Sequence, residues 1–112
     1  MPRTDPTNKY TFRVLWSDED EEYVGLCAEL PSLSWLAGSR EAALSGIVKV
    51  VQQAVKDMHA TGEAVPAPLA ERAYSGVFKV RVPAFVHRSL VIEAAEAGVS
   101  LNRLVSAKLA RG

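Results

Sequence analysis

Carboxylates are the most conspicuous reactive groups in this sequence. Asp18, Glu19, Asp20, Glu21 and Glu22 run consecutively, with Glu29 and Asp57 further along. A metal-dependent nuclease needs several carboxylates that converge from different elements on one or two divalent ions. Alternate side chains of an extended run point apart, so five acids in a row read as a solvated acidic loop, not a metal cage. Glu29 falls in a strand pattern and Asp57 near a helix end, and nothing in their spacing brings them together. His59 and His87 each lack a Ser, Cys or Asp at a spacing that would make a nucleophile pair. Cys27 is the chain's single cysteine, which leaves no internal disulfide and no zinc knuckle; its alternating apolar surroundings predict a small packed residue. The glycines form no phosphate-cradling loop. The sequence therefore offers no catalytic residues, no metal ligands and no cofactor site, and the chain is expected not to be an enzyme. What remains is recognition chemistry in "GVFKVRVP", where Val77, Lys79 and Arg81 alternate with Phe78, Val80 and Val82.

The chain has 112 residues, 48% of them hydrophobic and 23% charged, which suits one small domain or two very small ones. Thirteen basic residues balance thirteen acidic ones, but they are not evenly spread. From Ser75 onward six cations face two anions, a net of +4; the preceding residues carry seven against eleven, a net of −4. Such a split suggests two partners of opposite sign. No apolar run approaches the roughly 20 residues of a membrane helix, and "MPRTDPTNKY" lacks the apolar centre of a signal peptide, so a cytoplasmic protein with no membrane partner is expected.

Elements follow from periodicity. "KYTFRVLW" alternates, with Tyr10, Phe12, Val14 and Trp16 on one side. "EYVGLCAEL" alternates again, with Val24, Leu26 and Ala28 on one face. The pair reads as an antiparallel hairpin with an acidic turn, and a short third strand fits around Leu33–Leu36. Trp16 and Trp35 read as packed aromatics, or as contacts for a partner. Ser39 is a good N-cap for a helix from Arg40 to about Ala60, whose stripe comprises Ala43, Leu44, Ile47, Val48, Val51, Ala54, Val55 and Met58; Gly62 stops it. That stripe is expected to cover the apolar face of the sheet. Residues 9–65 thus form a sheet-and-helix domain. Residues 66–75 read as a linker, because Pro66 and Pro68 exclude regular structure.

Residues 76–112 read as strand, helix, helix. Pro83 ends the strand and can open a helix, since its missing N–H is not needed there. Val86, Leu90, Ala94 and Ala97 share a face of the first helix, with Val91 alongside; Gly98 stops it. Ser100 caps a second helix striped by Leu101, Leu104, Val105 and Leu109. A segment of about 37 residues is shorter than the roughly 40 that usually fold alone, and a lone strand has unpaired N–H and C=O groups on both edges. A second copy solves both problems. Two strands pair across a two-fold axis, four helices close one core, Phe78, Val80 and Val82 face inward, and Val77, Lys79 and Arg81 of both copies face out. A two-stranded ribbon of this kind fits the DNA major groove.

In "FKVRVP", "AFVHRSLVIEAAEAG" and "GVSLNRLV" the segment resembles the ribbon-helix-helix DNA-binding family, the Arc and MetJ type. The resemblance implies base contacts from Val77, Lys79 and Arg81, and phosphate contacts from the turn Gly98, Ser100, Asn102. A helix start offers free N–H groups to an anion, and Arg and Lys donate to guanine acceptors.

The preceding residues resemble the HicB family of antitoxins: a hairpin ending in C-x-E-x-P-S-L (Cys27 to Leu33), then "GSREAAL", a spacing variant of that family's outline, then G-E-x-x-P-x-P from Gly62 to Pro68. The resemblance implies an α+β fold, with a small partial RNase H-like antiparallel sheet and one long helix; such proteins end in either a ribbon-helix-helix or a helix-turn-helix segment, and residues 76–112 resemble the dimerising ribbon-helix-helix kind. It also implies two partners, a basic HicA-like mRNA-cleaving toxin and operator DNA; the expected assembly is a homodimer through the C-terminal segment, or a tetramer of two such dimers joined through the first domain. The acidic run suits a basic partner. The other reading is a ribbon-helix-helix transcriptional regulator whose first domain senses a ligand or another protein.

Overall fold

The computed structural model describes residues 5–111. The chain divides between Tyr74 and Ser75 into two compact units.

The first unit opens with a 3-10 turn, Pro6–Lys9, followed by strands β1 (Phe12–Ser17), β2 (Glu22–Cys27) and β3 (Ser34–Ala37) and the helix α1 (Arg40–Thr61). The strands form an antiparallel sheet in the order β1-β2-β3. Ser39 caps α1 by accepting from the Ala42 N–H. The core holds Tyr10, Cys27, Ile47, Val51 and Val55, with Phe12, Leu30, Leu33 and Val65 against it.

The register corrects one expectation. Phe12, Val14 and Trp16 pair with Cys27, Gly25 and Tyr23, so they lie on the face opposite to Val24, Leu26 and Ala28. The helix covers the first face only. It sits over Gly25 and Cys27 because those residues are small: a Cβ built on Gly25 would lie 2.6 Å from the Ala43 carbonyl oxygen and 2.8 Å from Ile47 Cγ2. Backbone clearance, not the larger apolar side chains of β2, decides where α1 docks. Leu44, expected in the buried stripe, is exposed, as is Ala28.

The segment read as a linker over residues 66–75 is tied into this unit in its first half. Pro68 is buried, Val65 and Pro66 are half-buried, and a 3-10 turn forms at Leu69–Glu71.

The second unit comprises α2 (Ala84–Ala97) and α3 (Leu101–Ala110), preceded by an extended stretch. Pro83 is the N-cap of α2, not its first helical residue, and its carbonyl accepts from the Val86 and His87 N–H groups. Gly98 ends α2 at φ 69°, a left-handed conformation that glycine adopts without a Cβ penalty. Ala94 is the only buried hydrophobic residue in this unit among those described. Val86, Leu90, Leu101, Leu104 and Val105 are half-buried, while Ala97, Val91 and Leu109 lie exposed.

Candidate functional site

The recognition residues sit in the stretch that leads into α2. Ser75 opens it with a tight turn, its hydroxyl accepting from the Val77 N–H at 3.1 Å, and Gly76 takes φ 83°. Residues 77–83 then run without any strand ladder. The strand expected here is not formed, because a ladder needs a neighbour and the single chain supplies none. As a result, the two faces of "VFKVRV" are not distinguished by burial. Val77, Lys79 and Arg81 are exposed, and so are Phe78, Val80 and Val82, which were expected to face inward. Phe78 is 70% exposed and Val80 65%. Beside them lies a groove of about 700 Å³, lined by Val80, Val82, Leu90, Leu101, Val105 and Leu109.

Ser100 caps α3, its hydroxyl accepting from the Arg103 N–H at 3.1 Å. Asn102 is exposed one turn-position into the helix. Gly98, Ser100 and Asn102 therefore cluster at the start of α3. Lys108 pairs with Glu93 at 3.1 Å and links the two helices at the surface, a contact worth under about 1 kcal/mol.

Sequence reasoning missed a buried polar cluster in the first unit. Glu29 lies in the turn after β2, not in the strand, and is buried. Its Oε1 accepts from the Thr11 N–H at 2.8 Å, and its Oε2 from the Leu69 N–H at 3.0 Å and the Thr11 hydroxyl at 3.3 Å. The Cys27 thiol donates to Oε1 at 3.6 Å. Burial by itself raises the Glu29 pKa, but the Leu69 and Thr11 backbone donors outweigh it, and the net shift is downward. Burial pushes the Cys27 thiol up, which leaves it an inert packed group. Tyr10 donates its hydroxyl to the Pro66 carbonyl at 2.6 Å, and burial raises its pKa as well. Lys9 pairs with Glu71. These bonds clasp residues 66–71 to residues 9–11, just before β1, and to the turn after β2. The signal lay in the C-x-E spacing, which supplies Cys27 and Glu29, and in the G-E-x-x-P-x-P run, which supplies Pro66 and is followed directly by Leu69.

At the far end of the sheet Trp16 and Tyr23 pack edge to face at 5.1 Å, and the Arg40 guanidinium lies 4.9 Å over the Tyr23 ring. Trp16 donates to Asp18 at 2.7 Å. The Trp35 ring lies against Gly46, where a Cβ would collide with it. Both tryptophans are nonetheless about half exposed. Among the described residues no three His, Cys, Asp or Glu side chains group to hold a metal ion, and no helix is long and apolar enough to cross a membrane.

The fold and site thus define a small α+β protein whose second unit offers exposed apolar and cationic side chains along an unpaired strand-like segment. A model of the HicB family matches residues 61–109, from the end of α1 through the clasped segment and nearly all of the second unit. The match spans a little under half of the chain, so these residues are similar to HicB proteins, and it falls on a different part of the chain from the hairpin motifs that first suggested the family. No curated protein and no solved structure matches the chain.

Proposed function

We propose that this chain is the antitoxin of a type II toxin–antitoxin pair. In this reading it binds and masks a HicA-like mRNA-cleaving toxin and represses its own operon through a ribbon-helix-helix dimer. It does no chemistry itself. The HicB family match over residues 61–109 is the observation that carries the reading. Three features support it further. The extended residues 77–83, unpaired and apolar on alternate positions, are what a strand awaiting its two-fold mate looks like. The second unit is net basic, as a DNA-binding segment should be. The first unit is net acidic, as suits a basic toxin.

In the proposed dimer the two strands pair antiparallel. Phe78, Val80 and Val82 enter the groove between the helices, and Val77, Lys79 and Arg81 point into the major groove. Arg81 and Lys79 donate to base edges, and Val77 contacts a thymine methyl or spaces the two cations. The starts of the two α3 helices, at Gly98, Ser100 and Asn102, hold flanking phosphates through backbone N–H groups and the Asn102 side-chain amide.

Co-expression with the small reading frame adjacent to this gene tests the reading. The expected result is a tight complex that relieves the growth arrest caused by that reading frame alone, together with retardation of a DNA fragment upstream of the pair. Absence of both toxicity and complex would overturn it.

A further inference from the structure

Helix α1 leaves one face of the sheet open, and that face is apolar. Leu15, Val24 and Leu36 stand in register across all three strands. Leu15 and Leu36 are each 42% exposed, and Val24 is half-buried. Leu26 extends the row toward Arg13, beside a hollow of about 410 Å³ lined by Arg13, Leu26, Ala28 and Pro31. An open antiparallel sheet ordinarily turns alternating polar residues to water. A row of three large aliphatic side chains across the full width of a sheet is instead the pattern of a contact surface.

The surroundings select the occupant. On the same face the next register pair is Ser17 and Glu22, and beyond it the turn carries Asp18, Glu19, Asp20 and Glu21, all exposed. Among the described residues no ion pair neutralises these five acids. The apolar row is therefore bordered at one end by a dense negative rim. A second copy of this face would bring a second net-negative unit against the first. A partner with aliphatic side chains ringed by Lys and Arg meets both requirements at once.

We infer that the open sheet face, centred on Leu15, Val24 and Leu36 and bordered by Asp18–Glu22, is the docking surface for a basic protein. The inference rests on the antitoxin reading and locates the toxin contact within it. The leucine row supplies the buried centre, and the acidic rim steers the encounter and makes it dependent on salt.

The test measures binding of the adjacent reading frame's product to the full chain and to two variants. Leu15→Asp/Leu36→Asp is expected to weaken binding by roughly 100-fold or more while retaining the wild-type melting temperature and DNA retardation. Asp18→Asn/Glu19→Gln/Asp20→Asn/Glu21→Gln is expected to slow association by roughly ten-fold at low salt and to flatten its salt dependence. If wild type and the leucine variant bind alike, the surface is wrong and the antitoxin reading stands. If the leucine variant does not fold, unchanged association kinetics in the acidic-turn variant overturn the surface, and slowed, salt-insensitive association supports it. If the wild-type chain does not bind at all, the antitoxin reading falls and the surface assignment falls with it. If the wild-type chain instead forms species larger than a dimer that the leucine variant abolishes, the occupant is a second copy and the basic-partner assignment is overturned.

Discussion

The sheet unit closes a core around Cys27, Ile47 and Val51, all at 1% exposure or less, whereas the helix-pair unit buries Ala94 and leaves Phe78, Val80, Val82 and Leu109 open. Both stretches are rich in apolar residues, so composition does not explain the difference. Chain length and topology do. The first unit has three strands and a 22-residue helix, enough to lay one apolar layer on another. The second has two short helices and an extended stretch without a neighbour. A domain of that size buries too small a fraction of its surface to offset chain entropy by itself. The comparison teaches that the first unit is complete within one chain, and it motivates the proposal that a second copy completes the second.

The most severe way to break this contrast is Leu104→Asp. Leu104 is half-buried in α3, and a charge there would lie in the shared core of the proposed dimer. Sedimentation is expected to show monomer only, and gel retardation no DNA binding, with the melting of the sheet unit unchanged. A dimeric, DNA-binding Leu104→Asp chain would contradict the arrangement. The mirror experiment is Ile47→Ala, which empties a fully buried site in the first unit. It should cost that unit about 2–5 kcal/mol by denaturant titration and leave DNA affinity intact.

Glu29→Gln probes the clasp. Gln can accept with only one side-chain atom, so a backbone N–H from Thr11 or Leu69 loses its partner, at a cost of about 1–3 kcal/mol. The carboxylate also carries a pH signature. Its folded pKa lies below the ordinary 4.5, so its contribution is complete above that value and is lost as pH falls through the lower folded one. Acid titration of stability should show this loss in wild type and not in Glu29→Gln.

Arg81→Ala should weaken operator binding by about 1–3 kcal/mol and relax sequence preference at one position. Asn102→Ala should weaken binding to all sequences alike, because phosphate contacts position without specifying. Competition gel shifts against operator point variants separate the two. The smallest effect expected is from Glu93→Ala, under about 1 kcal/mol in the melting of the second unit.

The periodicities carried most of the elements. Alternation placed β1 to β3 within about three residues at their ends, and the Ser39 cap and Gly62 stop bounded α1. Two features were not legible. Which sheet face receives α1 depends on the register of Gly25 opposite Val14 and on a close backbone approach that no hydropathy pattern encodes. The clasp joins residues 40 positions apart, Glu29 and Leu69, and only the paired motifs hinted that they belong together. In the second unit the alternation of Phe78, Val80 and Val82 is plain in the sequence, but the strand it implies needs a partner that a single chain does not contain.

Both tryptophans, Trp16 and Trp35, lie in the first unit, which makes the central contrast directly measurable. Thermal unfolding of the full chain would be followed over a wide range of concentrations by tryptophan fluorescence and by helical circular dichroism. The fluorescence transition should stay fixed, while a separate dichroism transition from α2 and α3 should move to higher temperature as concentration rises, because association stabilises by mass action. A second-unit transition that is independent of concentration would contradict the claim that this unit is completed by a second copy.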